Sequence, residues 1–189
     1  MVLVTTLVHL VRHGRAAAGW DVDPDPGLDE VGHQQAAATA ASLAELDRRV
    51  IVSSPLRRCR ETASHLARIW GDVPITIESA VAEIPSPEGI PMGERVPWLR
   101  RTMAGSWAEL DPRYLDFRDG VVSWLRQRRE PTVVFSHFIA INVVIGHCLG
   151  DDRLVIDSLD NASVTVVEVA DDGRLRLVER GRQAETLIR

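Results

Sequence analysis

Short runs of branched apolar residues alternate along this chain with longer stretches of helical periodicity, and that alternation leaves few folds open. The apolar runs are Leu7-Val8-His9-Leu10-Val11, Val50-Ile51-Val52, Pro74-Ile75-Thr76-Ile77 and Thr132-Val133-Val134-Phe135-Ser136. Each is long enough for a strand and too short for a helix. The last is apolar almost throughout, as a strand covered on both faces must be. Between them lie predicted helices. One starts at the N-cap Asp29 and runs through an alanine-rich stretch to Leu46, and a second is opened by Ser53-Ser54-Pro55 and carries Leu56, Cys59, Ala63 and Leu66 at helical spacing. A third spans Asp111 to Arg128 with Pro112 in its first turn, and a fourth spans Phe138 to Leu149 and stops at Gly150. The pattern predicts an α/β protein: a mostly parallel central sheet with helices on both faces. Ala162–Val169 and Arg174–Val178, joined by Asp171-Asp172-Gly173, are predicted to pair antiparallel at one edge.

One irregular segment interrupts the alternation. From Ser79 to Gly105 the chain carries Pro85, Pro87, Gly89, Pro91, Gly93 and Pro97, with a short helical piece from Trp98 to Met103. It reads as a small lid insertion, at about residues 79–107, over one edge of the sheet. With no repeat or linker to divide them, residues 1–189 are expected to form a single domain.

Composition narrows the function classes. A net charge of -5 gives no positive field for nucleic acid. No apolar run is long enough to span a membrane. Met1-Val2-Leu3-Val4 lacks the basic start of a signal peptide and reads as the lead-in to a strand. Cys59 and Cys148 belong to no zinc or CxxC pattern. Both fall among apolar neighbours in predicted helices, so buried free thiols and a cytoplasmic location are expected. His9, His33, His65 and His147 show no metal-ligand spacing with one another, and no metal or cofactor is expected. The five tryptophans, Met92 and Met103 are expected to pack in the core or lid.

The chemistry gathers at strand ends. Arg12-His13-Gly14 follows the first strand, Ser53-Ser54-Pro55-Leu56-Arg57-Arg58 the second, Glu83 the third, and Ser136-His137 the central one. Parallel strands point their C-terminal ends the same way, so these groups should converge where open α/β sheets bind ligands. Arginine suits forked contact with phosphate, and imidazole, with an unperturbed pKa of about 6.5, is a nucleophile near neutral pH.

These runs resemble the motifs of the histidine phosphatase superfamily, also called the phosphoglycerate mutase-like family. Leu10-Val11-Arg12-His13-Gly14 is similar to its nucleophile motif, and Gly32-His33-Gln34-Gln35-Ala36 to its Gly-x-x-Gln-Ala helix opening. Ser53 to Ala63, Val133-Val134-Phe135-Ser136-His137 and Asn161-Ala162-Ser163-Val164-Thr165 resemble its later motifs, in the expected order. The resemblance implies that His13 attacks phosphorus to give a phosphohistidine, and that Arg12, Arg58 and His137 bind the phosphoryl oxygens. It implies that Glu83 serves as general acid and base. Glu78 and Glu88 are rival carboxylates, and Arg57 is expected to be solvated rather than in the site.

Three departures bear on the substrate. Arg15-Ala16-Ala17-Ala18-Gly19-Trp20 stands where mutases carry acidic or amide residues, Phe138 where a glycine commonly follows the second histidine, and Ile84-Pro85-Ser86-Pro87 where mutases have a longer segment. They favour a metal-independent phosphomonoesterase acting on a small phosphorylated substrate or a phosphoprotein. The alternatives are a phosphoglycerate mutase-type isomerase and a non-catalytic module that binds phosphorylated ligands. The lid arginines Arg95, Arg100 and Arg101 could face an acidic substrate or solvent.

Overall fold

The computed structural model describes residues 5–47 and 49–184. The strand lead-in expected at residues 1–4 lies outside the described residues. In chain order the elements are β1 (Thr5–Arg12), α1 (Glu30–Leu43), β2 (Val50–Ser53), α2 (Arg57–Ile69), β3 (Ile75–Ile77), α3 (Arg95–Met103), α4 (Pro112–Arg126), β4 (Thr132–Ser136), α5 (Phe138–Leu149), β5 (Val164–Ala170) and β6 (Leu175–Glu179). The six strands form one sheet in the order β3-β2-β4-β1-β5-β6. β1 with β4, β2 with β4 and β2 with β3 are parallel; β5 runs antiparallel to both β1 and β6. The protein is thus the mostly parallel α/β sheet that the alternation predicts, with the antiparallel pair at one edge.

Side chains alternate across this sheet and build two layers. Val11, Ile51, Val133 and Phe135 pack with Ala40, Leu43, Cys59, Ala63, Leu66 and Trp70 under α1 and α2. Val8, Leu10, Val52, Val134 and Val167 pack on the other face with Val121, Leu125, Ile141 and Ile145 of α4 and α5. The central pair is sealed: Val8, Val11, Val133 and Val134 are all 0% exposed. Arg12 lies opposite Ser136, and Ser53 opposite Phe135, so the ends of β1, β2 and β4 share one edge.

The irregular segment is anchored by its own apolar residues. Single 3-10 turns at Ser79–Val81, Met92–Glu94 and Trp107–Glu109 flank α3. Val81, Ile84, Leu99 and Trp107 are buried in the α4–α5 core. Trp98 lies 5.8 Å from Tyr114, and Trp107 6.2 Å from Phe117, measured between ring centroids. Several helix ends differ from expectation: α3 begins at Arg95 rather than Trp98, and α4 ends at Arg126 rather than Arg128. α1 stops at Leu43 rather than Leu46, and α2 begins at Arg57 because Ser53 is still paired in the sheet and the Ser54 amide continues that pairing to the Phe135 carbonyl.

Candidate active site

The turn after β1 is fixed by backbone bonds from three directions. The His13 amide donates to the Ser136 carbonyl at 3.0 Å, and the His13 carbonyl accepts from the Ala162 amide at 3.2 Å and Asn161 Nδ2 at 3.1 Å. The Gly14 amide donates to Thr62 Oγ1 at 3.1 Å. Two glycines allow the turn to lie against the start of α1. A Cβ on Gly14 would fall 2.5 Å from the Gly32 carbonyl oxygen, and one on Gly32 would fall 2.1 Å from that of Arg15. Asp29 caps α1 by accepting from the Gly32 amide at 2.7 Å and pairs with Arg15 at 2.6 Å, while Gln35 Oε1 accepts from the Arg15 amide at 2.9 Å. The Gly-x-x-Gln run is therefore the part of α1 that carries the turn.

Hydrogen bonds fix the two rings in definite proton states. A carbonyl only accepts, so His13 Nδ1 donates to the Gly14 carbonyl at 2.7 Å. Its Nε2 then holds a lone pair, which accepts from Arg58 Nε at 3.2 Å. Arg58 Nη2 donates to His137 Nδ1 at 3.2 Å. The rings meet edge to face with centroids 5.2 Å apart. Burial, followed by the charges of Arg58 and Arg12, pushes His13 well below the ordinary imidazole range, though the Gly14 carbonyl pulls the other way. His137 is pushed down by burial, Arg58, His13 and Arg12. Both rings are neutral at pH 7.

Arg12 and Glu83 complete the arrangement. Arg12 donates through Nη1 to the Leu159 carbonyl and lies over the Phe138 ring at 4.9 Å, leaving its Nε without a protein partner. Burial pulls its guanidinium down to about 10, opposed by Glu83 and Asp160, so it stays charged at neutral pH. Glu83 accepts from the Ile84 amide at 2.9 Å. Burial raises its carboxyl above the usual range, against the Ile84 and Ile139 amides and the charges of Arg58 and Arg12.

Arg12, His13, Arg58 and Glu83 all line one cavity of about 730 Å³, and His137 sits behind it at 0% exposure. Trp20, Leu99 and Phe138 form its apolar wall, and Ala16 to Gly19 its rim. The rivals lie elsewhere. Glu78 caps the 3-10 turn at Ala80, Glu88 is exposed, and Arg57 pairs with Glu61 at 2.7 Å on the surface. Arg100 and Arg101 are exposed, and Arg95 lies over the Trp20 ring at 5.8 Å; none of the three lines the cavity.

One reading of the sequence needs correction. Cys148 is only half buried, and Cys59, although wholly buried, faces polar groups: its Sγ is 3.3 Å from His137 Nε2. His33 and His65, unrelated by spacing, meet across α1 and α2 with Nδ1 and Nε2 3.2 Å apart. Among the described residues no group of three or more His, Cys, Asp or Glu is placed to hold a metal ion, and no helix is long and apolar enough to cross a membrane. Ser54, Cys59, Thr62 and Asn161 were missed as site-supporting residues. Their positions within the motif runs were the available signal.

A buried histidine pair, two arginines and a carboxyl at the C-terminal edge of parallel strands define an α/β protein with a charged site where open sheets bind ligands. Residues 8–181 match the histidine phosphatase superfamily (branch 1), and the chain belongs to that family. It is 28% identical over 184 residues to a probable phosphatase of Schizosaccharomyces pombe, covering 88% of each chain. A bifunctional protein of Mycobacterium tuberculosis is 29% identical over 197 residues; the match covers 93% of this chain and 54% of that protein, about half its length. Among solved structures, Bacillus stearothermophilus YhfR superposes with a TM-score of 0.77 at 21% identity, covering 95% of this chain and 98% of that one. The phosphoserine phosphatase of Entamoeba histolytica, in complex with 3-phosphoglyceric acid, gives 0.71 at 21% identity, covering 97% and 100%. At these identities the structural likeness is one of fold.

Proposed function

We propose that the protein is a phosphomonoesterase that needs no metal and passes the phosphoryl group of a small phosphorylated molecule, or of a phosphoprotein, through His13 to water. The observation that carries this reading is the fixed tautomer of His13, whose Nε2 lone pair shares the cavity with Arg12, Arg58 and Glu83. The depressed basicity of the ring keeps that lone pair free at pH 7. Arg12, Arg58 and His137 bind the phosphoryl oxygens and meet the charge that spreads over them in the transition state. Nε2 forms the N–P bond as the ester P–O bond breaks, and the Glu83 carboxyl gives its proton to the leaving oxygen. The Glu83 carboxylate then takes a proton from water, which attacks phosphorus and releases phosphate and free His13. Its raised pKa suits both roles. The whole chain is read as one such domain.

The likeness to a phosphoserine phosphatase favours a small substrate. A low rim of Ala16, Ala17, Ala18 and Gly19 favours hydrolysis over isomerisation, because a mutase must exclude water until the group is returned. A panel of phosphomonoesters, with interconversion of 2- and 3-phosphoglycerate followed alongside, tests this. We expect release of inorganic phosphate, little interconversion, and full activity after treatment with a chelator. Isomerisation faster than phosphate release, or loss on chelation that a divalent ion restores, would overturn it.

A further inference from the structure

Ser54 and Cys59 also touch His137, and the chemistry above uses neither: Ser54 Oγ meets Nε2, away from Arg58 at Nδ1, and Cys59 Sγ lies 3.3 Å from Nε2 and 3.9 Å from Nδ1. Both are 0% exposed. Different elements hold them: the Ser54 amide donates to the Phe135 carbonyl at 2.9 Å, and the Cys59 thiol, in the first turn of α2, donates to the Ser136 carbonyl at 3.3 Å. Their contacts set the proton order around the ring. Arg58 only donates, so His137 Nδ1 is the acceptor nitrogen. The neutral ring then carries its proton on Nε2 and donates it to Ser54 Oγ, 2.7 Å away. The Leu56 amide donates to the same oxygen at 3.2 Å. Both lone pairs of the Ser54 hydroxyl are thus engaged, and the Cys59 sulfur lies beside the same ring nitrogen, 3.3 Å from Nε2. Burial pushes that thiol up to about 12, so it keeps its proton for the Ser136 carbonyl.

Phosphate demands the opposite polarity at Nδ1. An anionic oxygen accepts, so the ring must become a donor there while Arg58 turns toward the same group. The change that balances is transfer of the proton of a phosphate monoanion to Nδ1. This leaves the dianion against an imidazolium that donates from both nitrogens, and Arg58 Nη2–H moves from the ring to a phosphoryl oxygen. A buried imidazolium beside two arginines is costly unless its other N–H is well received.

We propose that Ser54, backed by Cys59, is the positioning residue that makes this second protonation of His137 possible: it holds Nε2–H and leaves Nδ1 as the nitrogen that receives the proton. This rests on the phosphatase reading, but its test does not need turnover. Binding of inorganic phosphate is measured from pH 5 to 8 in the wild type, Ser54→Ala, Ser54→Thr and Cys59→Ala, and the 15N shifts of the His137 ring are recorded with and without phosphate. We expect a ring protonated on Nε2 alone in the free protein and on both nitrogens with phosphate. Ser54→Ala should weaken phosphate about tenfold at pH 7, the effect of losing one hydrogen bond to a charged group, and move the best binding to lower pH. Ser54→Thr should restore most of it, and Cys59→Ala should cost about two- to fourfold. Unchanged affinity and pH profile in Ser54→Ala overturns the proposal. So does a His137 ring that stays singly protonated with phosphate bound, a measurement on the wild type that stands even if the variant fails to fold. If phosphate binds as expected while no ester is hydrolysed, the phosphatase reading falls and this one stands.

Discussion

The bonds that tie the His13 turn to the rest of the sheet are made by its amide and carbonyl, so removing the ring costs the turn only the contact of Nδ1 with the Gly14 carbonyl. His13→Ala is therefore expected to abolish turnover, at least a thousandfold, while melting within a few degrees of the wild type. Retained phosphatase activity in the folded variant would remove His13 as the nucleophile. Glu83 calls for a comparison of leaving groups. An alkyl phosphate needs a proton on the departing oxygen and a nitrophenyl phosphate does not. Glu83→Gln should then slow the alkyl ester about 10²–10⁴-fold and the aryl ester much less in the phosphoryl-transfer step, read by single-turnover kinetics. Equal losses on both would assign Glu83 a role other than acid. At this scale the convergence of Arg12, His13 and His137 was legible because each sits at a strand end, where sequence position fixes direction; Arg58, inside α2, and Glu83, six residues past β3, rested on the family resemblance. Cys59 was not legible, because which way the first turn of α2 faces depends on how that helix is rotated on the sheet; nor was Ser54, whose place is set by pairing with β4, distant in sequence.

Among the elements, α1 bears most directly on the site, through Gly32. A Cβ there would meet backbone, the Arg15 carbonyl, and neither the turn nor the helix can yield without moving His13. Gly32→Ala should cost about 2–3 kcal/mol in denaturant unfolding and lower activity in the protein that remains folded. Gly120 is the internal comparison: it lies in α4, is exposed, and a Cβ there meets nothing within 4 Å. Gly120→Ala should stabilise by about 0.5–1 kcal/mol. A stable Gly32→Ala protein with normal activity would break the link between α1 and the turn. The same contrast explains which boundaries the sequence revealed. β4 and α5 were read to the residue, since Gly150 takes the left-handed conformation at φ 66 and His137 is extended just before the helix. α1 was overrun by three residues because its C-cap, Ala44, carries no stop signal. The start of α2 was placed early because Ser53-Ser54-Pro55 reads as a cap, while pairing with Phe135, which no local pattern encodes, keeps Ser53 in the sheet.

For the molecule as a whole, the site's electrostatics should appear as pH-dependent stability. His9, His13 and His137 are all buried, and each is held below its ordinary range: His9 by burial and Arg49, the other two by burial and the site arginines. In the unfolded chain each titrates near about 6.5. As pH falls below that value, the unfolded state takes up protons that the folded state refuses, so folding stability falls with pH. The contribution is fully present above about pH 6.5 and is lost toward the folded pKa, at up to about 1.4 kcal/mol per pH unit for each ring kept neutral. Glu83 works in the other direction. Its raised carboxyl gains stability as the pH drops through its folded value toward the ordinary carboxylate range, and so opposes the decline that the histidines cause. The expected outcome is a denaturation midpoint that declines steadily from pH 7 to 5.5, with a shallower decline for His137→Asn, which has one fewer buried ring to protonate. Under the proposal for Ser54, saturating phosphate should also flatten the decline, because His137 already carries its second proton in the complex. A flat midpoint would mean that the rings titrate as they do in the unfolded chain, and one that rises as the pH falls would mean that they are protonated in the folded protein at neutral pH. His13 would then hold no free lone pair for phosphorus.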